Sequence, residues 1–293
     1  MDQQHQATPA YDRTVEDVGN IVEFGHVNVL IPDQSLATLF YVSGLGLTRD
    51  PYLMTSTDNM WINVGTDQFH LPTGPAQVVR GTTGLVVPDL AHLLRRLRRV
   101  APRLGGTQFS FREHDATVEI TCPWGNRIRV HAPQPRFGPI ALGIVYVEFD
   151  APPGSAAGIA RFYRDILHAP ARVEDNAAHI GAGATTTLIY RETRDAMPDF
   201  DGNHIQISLA DFSGPYHRLM ARGLVSEESD QHQYRFKSIV DVETGDLLLE
   251  MEHEVRSMRH PLFARALVNR NAEQSNRHFA PGRETQPWSL GLD

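Results

Sequence analysis

The chain has 293 residues, of which 41% are apolar, and carries 27 Lys and Arg against 35 Asp and Glu, a net charge of −8. Such usage describes a folded polypeptide of about two ordinary domains, and the acidic balance excludes a protein built to hold nucleic acid or an anionic membrane, because both require a concentrated positive field. The single cysteine, Cys122, excludes a disulfide framework or a zinc site of several thiolates, so the fourteen histidines are the natural source of any metal site.

Residues 1–20 have no basic start followed by an apolar stretch and read as an N-terminal extension, not a secretory signal. No apolar run approaches the ~20 residues of a membrane span, which makes the cytoplasm the expected location. From there the chain repeats itself. Four alternating strands end in aspartate: HVNVLIPD (His26 to Asp33), TTGLVVPD (Thr82 to Asp89), GIVYVEFD (Gly143 to Asp150) and HIQISLAD (His204 to Asp211). Their aspartates stand 56, 61 and 61 residues apart, a period that marks a repeat architecture. Each strand precedes a helical pattern that the aspartate or its neighbours can cap: SLATLFYVSGLGL, LAHLLRRLRRVAPRLGG, SAAGIARFYRDILHAP and SGPYHRLMARGL. Short strands broken by Gly, Pro or Asp turns follow each helix, for example LTRDPY, NMWINVG and QFHLP in the first unit. Each unit therefore reads as strand, helix and three strands. The second and fourth close on PWGNRIRVHAP and ETGDLLLEMEHE.

The opening H-x6-D, then LFYVSGLGL, QFHLP and PWGNRIRV, resemble the vicinal oxygen chelate superfamily, the group of glyoxalase I, extradiol dioxygenases and bleomycin- or fosfomycin-resistance proteins. The resemblance covers about residues 20 to 255. It implies an α+β fold of four βαβββ modules in two tandem pairs, forming half-open barrels: modules one and two over 21–134, modules three and four over 138–262, and a C-terminal extension over 263–293. It also implies a divalent metal in the concave face, with ligands from the first and last strands of the modules. In four-module members the first and fourth modules can pair around one site.

Strand alternation points to the ligands. His26, Asn28 and Leu30 share one face of the first opening strand, and His204, Gln206 and Ser208 share the matching face of the fourth; the opposite faces are apolar. Both histidines thus face a cavity. In the closing strands His70 lies between Phe69 and Leu71, and Glu250 between Leu249 and Met251. His70 is five residues past Gly65 and Glu250 five past Gly245, which pairs them; Glu252 shares the face of Glu250 and becomes the ligand if a bulge shifts the strand. The expected metal set is His26, His70, His204 and Glu250, suited to one Fe, Zn, Ni, Co or Mn ion. Thr82 and Gly143 stand where the histidines stand in the other two modules, which makes that second cavity a degenerate one.

Around this set Asn28, Trp61, Gln206, Tyr234 and Arg256 are candidate substrate contacts, with Asn63 nearby. Core packing is an equal reading for Trp61 and Tyr234, and a solvated basic turn for Arg256 in HEVRSMRHPLF (His253 to Phe263), placed just past the last strand. The expected function is a metal-dependent enzyme acting on a small oxygenated substrate by glyoxalase-like lyase or isomerase chemistry, with Glu250 or Glu252 as proton shuttle. The rivals are an Fe(II) dioxygenase that cleaves a catechol or hydroquinone ring through His26, His204 and Glu250, and a binding protein without turnover. Whether His70 is a ligand separates the first two. A small-molecule substrate is the only partner expected, in a monomer or homodimer.

Overall fold

The computed structural model describes residues 11–53 and 56–271; the outer parts of both expected extensions, 1–10 and 272–293, lie outside them. Four βαβββ modules follow one another. The first runs β1 (Ile21–Asn28), α1 (Gln34–Ala37) continued by a π-helical stretch over Thr38–Gly44, β2 (Thr48–Arg49), β3 (Asn59–Val64) and β4 (Asp67–Pro72). The second has β5 (Gly81–Val86), α2 (Leu90–Val100), β6 (Ser110–His114), β7 (Thr117–Thr121) and β8 (Arg127–His131). The third has β9 (Gly143–Ala151), α3 (Ala156–Leu167), β10 (Ala171–Glu174), β11 (Ala177–Ala182) and β12 (Thr186–Glu192). The fourth has β13 (His204–Leu209), α4 (Ser213–Met220), β14 (Val225–Asp230), β15 (Gln233–Val240) and β16 (Leu247–Ser257).

The repeated aspartate explains how three of the helices begin. Asp33 accepts from the backbone N–H groups of Ser35 and Leu36, Asp89 from that of His92, and Asp211 from that of Gly214. Each satisfies donors that a first helical turn leaves unpaired. Asp150 departs from the pattern and instead pairs with Arg127 of the neighbouring module. The helices bury one stripe: in α3, Ile159, Phe162, Tyr163 and Ile166 are all within 1% of full burial, at the i, i+3, i+4, i+7 spacing of a single face.

The modules pair in a nested way. One eight-stranded sheet has the order β14-β15-β16-β13-β1-β4-β3-β2, the other β10-β11-β12-β9-β5-β8-β7-β6. The outer modules thus share one open sheet and the inner modules the other, so modules one and two do not share a sheet, nor do modules three and four. In each sheet the two opening strands meet antiparallel at the centre, β1 on β13 and β5 on β9. Each closing strand lies parallel beside its own opening strand.

Polar stitches hold the sheets together. The buried Asp67 carboxyl accepts from Ile144 N at 2.8 Å, Arg161 pairs with Asp241 at 2.9 Å, and the Tyr163 hydroxyl bonds to both Tyr190 and His253 Nε2. Gly65, with φ +69°, sits so close to the Leu142 carbonyl that a Cβ would stand 1.9 Å from its oxygen; only glycine permits this approach.

Beyond β16, residues 262–270 run back across the first module as an irregular strap. Ala264 N donates to Glu23, Arg265 reaches Asp50 at 2.7 Å, and Asn63 donates to the Val268 carbonyl. Asn269 exchanges two bonds with Gly65, and Arg270 N donates to Thr48.

Candidate metal centre

The centre forms where β1 and β13 cross the middle of the outer-module sheet. Val27, Ile205 and Ile207 are buried in the core, which turns the intervening polar side chains to the other face. In β1, Phe24 and Val27 both enter the core although three residues apart, because the register with β13 shifts between Phe24 and His26. Gly25 sits at that irregularity, and a Cβ there would meet Gln206 Oε1 at 1.7 Å. Glycine leaves the Gln206 amide its place there, and the bulge delivers His26, 1% exposed, to the polar face.

One nitrogen each from His26 and His204 and one carboxylate oxygen of Glu254 all lie within 4.8 Å of one another. The Nε2 atoms of both histidines are buried without a hydrogen-bond partner, and the two rings stand 5.8 Å apart. Burying imidazole nitrogens without partners is costly, and a divalent ion would satisfy both at once, so the donors present fit a metal. Burial holds His26 neutral, well below the usual histidine range, the form that can ligate. Burial alone would raise Glu254, but His204, whose Nε2 lies 3.5 Å from its Oε2, and the neighbouring His26 and Arg256 outweigh it and hold the carboxyl below its ordinary range. Arg235 Nη2 lies 2.8 Å from Glu254 Oε2 and Arg256 Nη2 2.6 Å from Oε1. Arg235 also pairs with Glu252 at 2.5 Å, and Glu252 Oε1 stands 3.7 Å behind His204 Nδ1.

The expectation that Glu250 joins the histidines is not met. Glu250 pairs across to Ser238, four residues short of the cluster, and its carbonyl accepts from Arg80. Counting from the turn glycine misleads because β16 has eleven residues where β4 has six, and its hairpin with β15 carries two register shifts. The dependable count runs through the opening strands. Asn28, two past His26, pairs with His70; Gln206, two past His204, pairs with Glu254. His70 and Glu254 are therefore the equivalent positions. The segment from His253 is not the turn expected just past the last strand: β16 continues to Ser257 and carries Glu254 and Arg256 into the sheet.

His70 sits beside these three candidate ligands and outside their close set. Its ring is 5.5 Å from that of His26 and stacks on Trp61 at 3.7 Å. Asn28 holds its Nδ1 at 2.6 Å, and its buried Nε2 has no partner. Burial lowers its pKa to about 3. Trp61 also meets His26 edge-on at 5.0 Å, so the structure brings it to the site. Tyr234 is not brought there: it is buried under α4 among Phe212 and Tyr216. Gln206 packs beside Gly25 and donates to Ser208, while Asn63 ties Gln68 to the strap. The space left at the centre is a cavity of about 20 Å³, bordered by His26, Gln68, Gln206 and Arg256 and, from the strap, Leu262 and Arg265. Sequence periodicity had no means to find the strap, because it has no repeat of its own, or Arg235, whose role depends on β15 lying beside β16.

No protein-family profile and no curated sequence matches the chain. Solved structures do. A Bacillus subtilis subsp. subtilis str. 168 protein provisionally named a dioxygenase aligns over 82% of this chain and 86% of its own, with a TM-score of 0.55 and 15% identity. Glyoxalase I from Zea mays aligns over 80% and 92%, with a TM-score of 0.55 and 12% identity. Both likenesses are of fold, and with four βαβββ modules in two open sheets this chain has the vicinal oxygen chelate fold in its four-module form.

Proposed function

We propose that the protein is a metal-dependent enzyme in which His26, His204 and Glu254 hold one divalent ion that a small substrate chelates through neighbouring oxygens. The observation carrying this is the close set of two unpartnered, buried imidazole nitrogens and one carboxylate oxygen. Two histidines and one carboxylate form the donor set of non-haem Fe(II) oxygenases, so oxidative cleavage of a catechol or hydroquinone ring is the reading this geometry supports best. An Fe(II) ion bound there supplies electron transfer between a chelated diphenol and dioxygen. The side chains do the rest. Glu252 stands behind His204 and orients the ring, as carboxylates behind metal-ligating histidines do. Arg256 is the cation next to Glu254 where a substrate oxyanion would lie. His70, neutral and held by Asn28, presents Nε2 as a hydrogen-bonding partner for a substrate oxygen. The strap excludes water, since the remaining 20 Å³ has room for about one molecule, and substrate entry requires the strap to lift.

A second reading rests on one observation, the equivalence of His70 and Glu254 in the strand pairing. With His70 as a fourth ligand the ion would act as a Lewis acid in glyoxalase-like lyase or isomerase chemistry. Binding without turnover is disfavoured by the narrow, polar space under the strap. The test is metal analysis followed by two assays: dioxygen uptake with catechol and hydroquinone on the Fe(II)-loaded protein, and turnover of a methylglyoxal–thiol adduct on the Zn- or Ni-loaded protein. Uptake that vanishes in His204→Ala is the expected result. Adduct turnover without dioxygen uptake selects the second reading. Stoichiometric metal retained by a His26→Ala/His204→Ala double variant would end both.

A further inference from the structure

The inner-module sheet has the same strand plan as the metal-bearing one, and strand pairing shows what stands at its equivalent positions. Gly84 of β5 pairs with Tyr146 and Arg129, and Thr82 and Ile189 both pair with Glu148. The places of His26, His70, His204 and Glu254 are therefore taken by Thr82, Arg129, Tyr146 and Ile189. Contrary to expectation, Tyr146 and not Gly143 stands at the place of His204, because the β5–β9 register shifts between Gly84 and Leu85. A hydroxyl, a guanidinium and a phenol have replaced metal donors.

These groups are arranged. Tyr146 lies over Gly84 so closely that a Cβ there would stand 2.3 Å from its ring. The glycine thus lets the phenol reach His131 Nε2 at 3.0 Å and hydrogen-bond Arg129. Beside them opens a cavity of about 470 Å³ whose polar lining includes Thr82, Arg112, Glu119, Thr121, Arg127 and Arg129. That volume is in the range of small-molecule sites. Three guanidiniums face one carboxylate, in a chain whose net charge is −8. Arg129 bonds Glu119 through Nη2 at 3.2 Å, and Arg127 bonds Asp150 through Nη2 at 3.2 Å and the Gly81 carbonyl through Nε. Each keeps further N–H donors, because a guanidinium has five. Arg112 has no ion pair among the described residues and is exposed at the cavity. Forked donors of this kind match a planar or tetrahedral oxyanion two bonds at a time.

We propose that the inner-module sheet is a second binding site, for a small organic anion whose carboxylate or phosphate group is held by Arg112, Arg127 and Arg129 with Thr82 and Thr121. This site is independent of the metal centre. The test is calorimetric titration of the full-length protein with succinate, phenyl phosphate and inorganic phosphate, at low and high salt. Saturable binding by at least one probe is expected, weakening as salt rises. Losing one charged hydrogen-bonding partner should weaken it about 10- to 100-fold in Arg129→Gln and in the exposed Arg112→Gln, with metal content unchanged. Tighter binding of phenyl phosphate identifies a phosphate ester as the ligand class, and tighter binding of succinate a carboxylate. No saturable binding by any probe would overturn the proposal. So would binding that survives an Arg112→Gln/Arg127→Gln double variant, or that is lost on changing Arg256 in the other sheet.

Discussion

Single buried groups set how this protein should respond to pH. Burial lowers the imidazoles of His70 and His253 to about 3 and that of His131 to about 4, and it also depresses His26. A depressed pKa means that the unfolded chain takes up protons the folded one refuses, so stability is full above about pH 6.5 and is lost as pH falls below it. Asp67 behaves in the opposite sense. Its burial, against the bonds from Ile144 and Thr66, raises the carboxyl to about 8, so the stability it contributes is present below about pH 4 and is lost as pH rises towards 8. Metal-free protein should therefore be most stable near pH 6.5. His70 and His253 should each cost about 2 kcal/mol between pH 6.5 and 5. Asp67→Asn keeps an oxygen that can accept from Ile144 and should flatten the alkaline limb alone. Urea denaturation at pH 5, 6.5 and 8 measures both limbs, and an unchanged slope between 6.5 and 8 in the variant would refute the assignment to Asp67. The same scale separates the glutamates. Glu254→Gln should abolish tight metal binding, Glu252→Gln should weaken it about 10- to 100-fold through His204, and Glu250→Gln should leave it alone. Competition with a metallochromic chelator ranks the three.

Two elements carry the functional differences between modules. The first is β16, whose eleven residues extend the closing strand far enough to bring Glu254 and Arg256 level with Gln206 and Ser208. The second is the strap over residues 262–270, which holds to the first module by backbone and side-chain bonds and whose apolar side chains, Leu262, Phe263, Leu267 and Val268, are only half-buried. Segments secured in this way open at low free-energy cost. Asn269 is its clearest fastening, 5% exposed and bonded twice to Gly65. Asn269→Ala removes both bonds, worth about 2 kcal/mol together, and should raise the open population roughly thirtyfold. Hydrogen exchange at Arg270 and Gly65, whose N–H groups bond across the strap, reads this directly. Faster exchange with unchanged metal content is the expected result, and unaltered exchange would show that the strap is held by something else.

At the scale of the molecule, the two sheets are one plan used twice with different chemistry. The outer modules place His26, His70, His204 and Glu254 at the four equivalent positions, and the inner modules place Thr82, Arg129, Tyr146 and Ile189 there. The partition between sheets could not be read from proximity in the chain, because the modules that share the sheet with the candidate metal centre are the first and the last. The sheets are joined by contacts that have nothing to do with either cup: Asp67 to Ile144, Arg161 to Asp241, and the Tyr163, Tyr190 and His253 cluster.

What the sequence by itself determined follows local rules. Period-two alternation set the polar faces that carry His26 and His204, the strand-ending aspartates cap three of the four helices, and the spacing near 60 residues counted the modules. These signals survive because each depends on residues close together in the chain. What only the tertiary structure decided depends on alignment between distant strands. Register on a long closing strand is set by its pairing partners and bulges, and not by distance from a turn, which is why Glu254 and not Glu250 reaches the histidines. The burial that keeps the imidazoles neutral, and the strap that closes over them, likewise exist only once residues 262–270 fold back across strands some two hundred positions earlier.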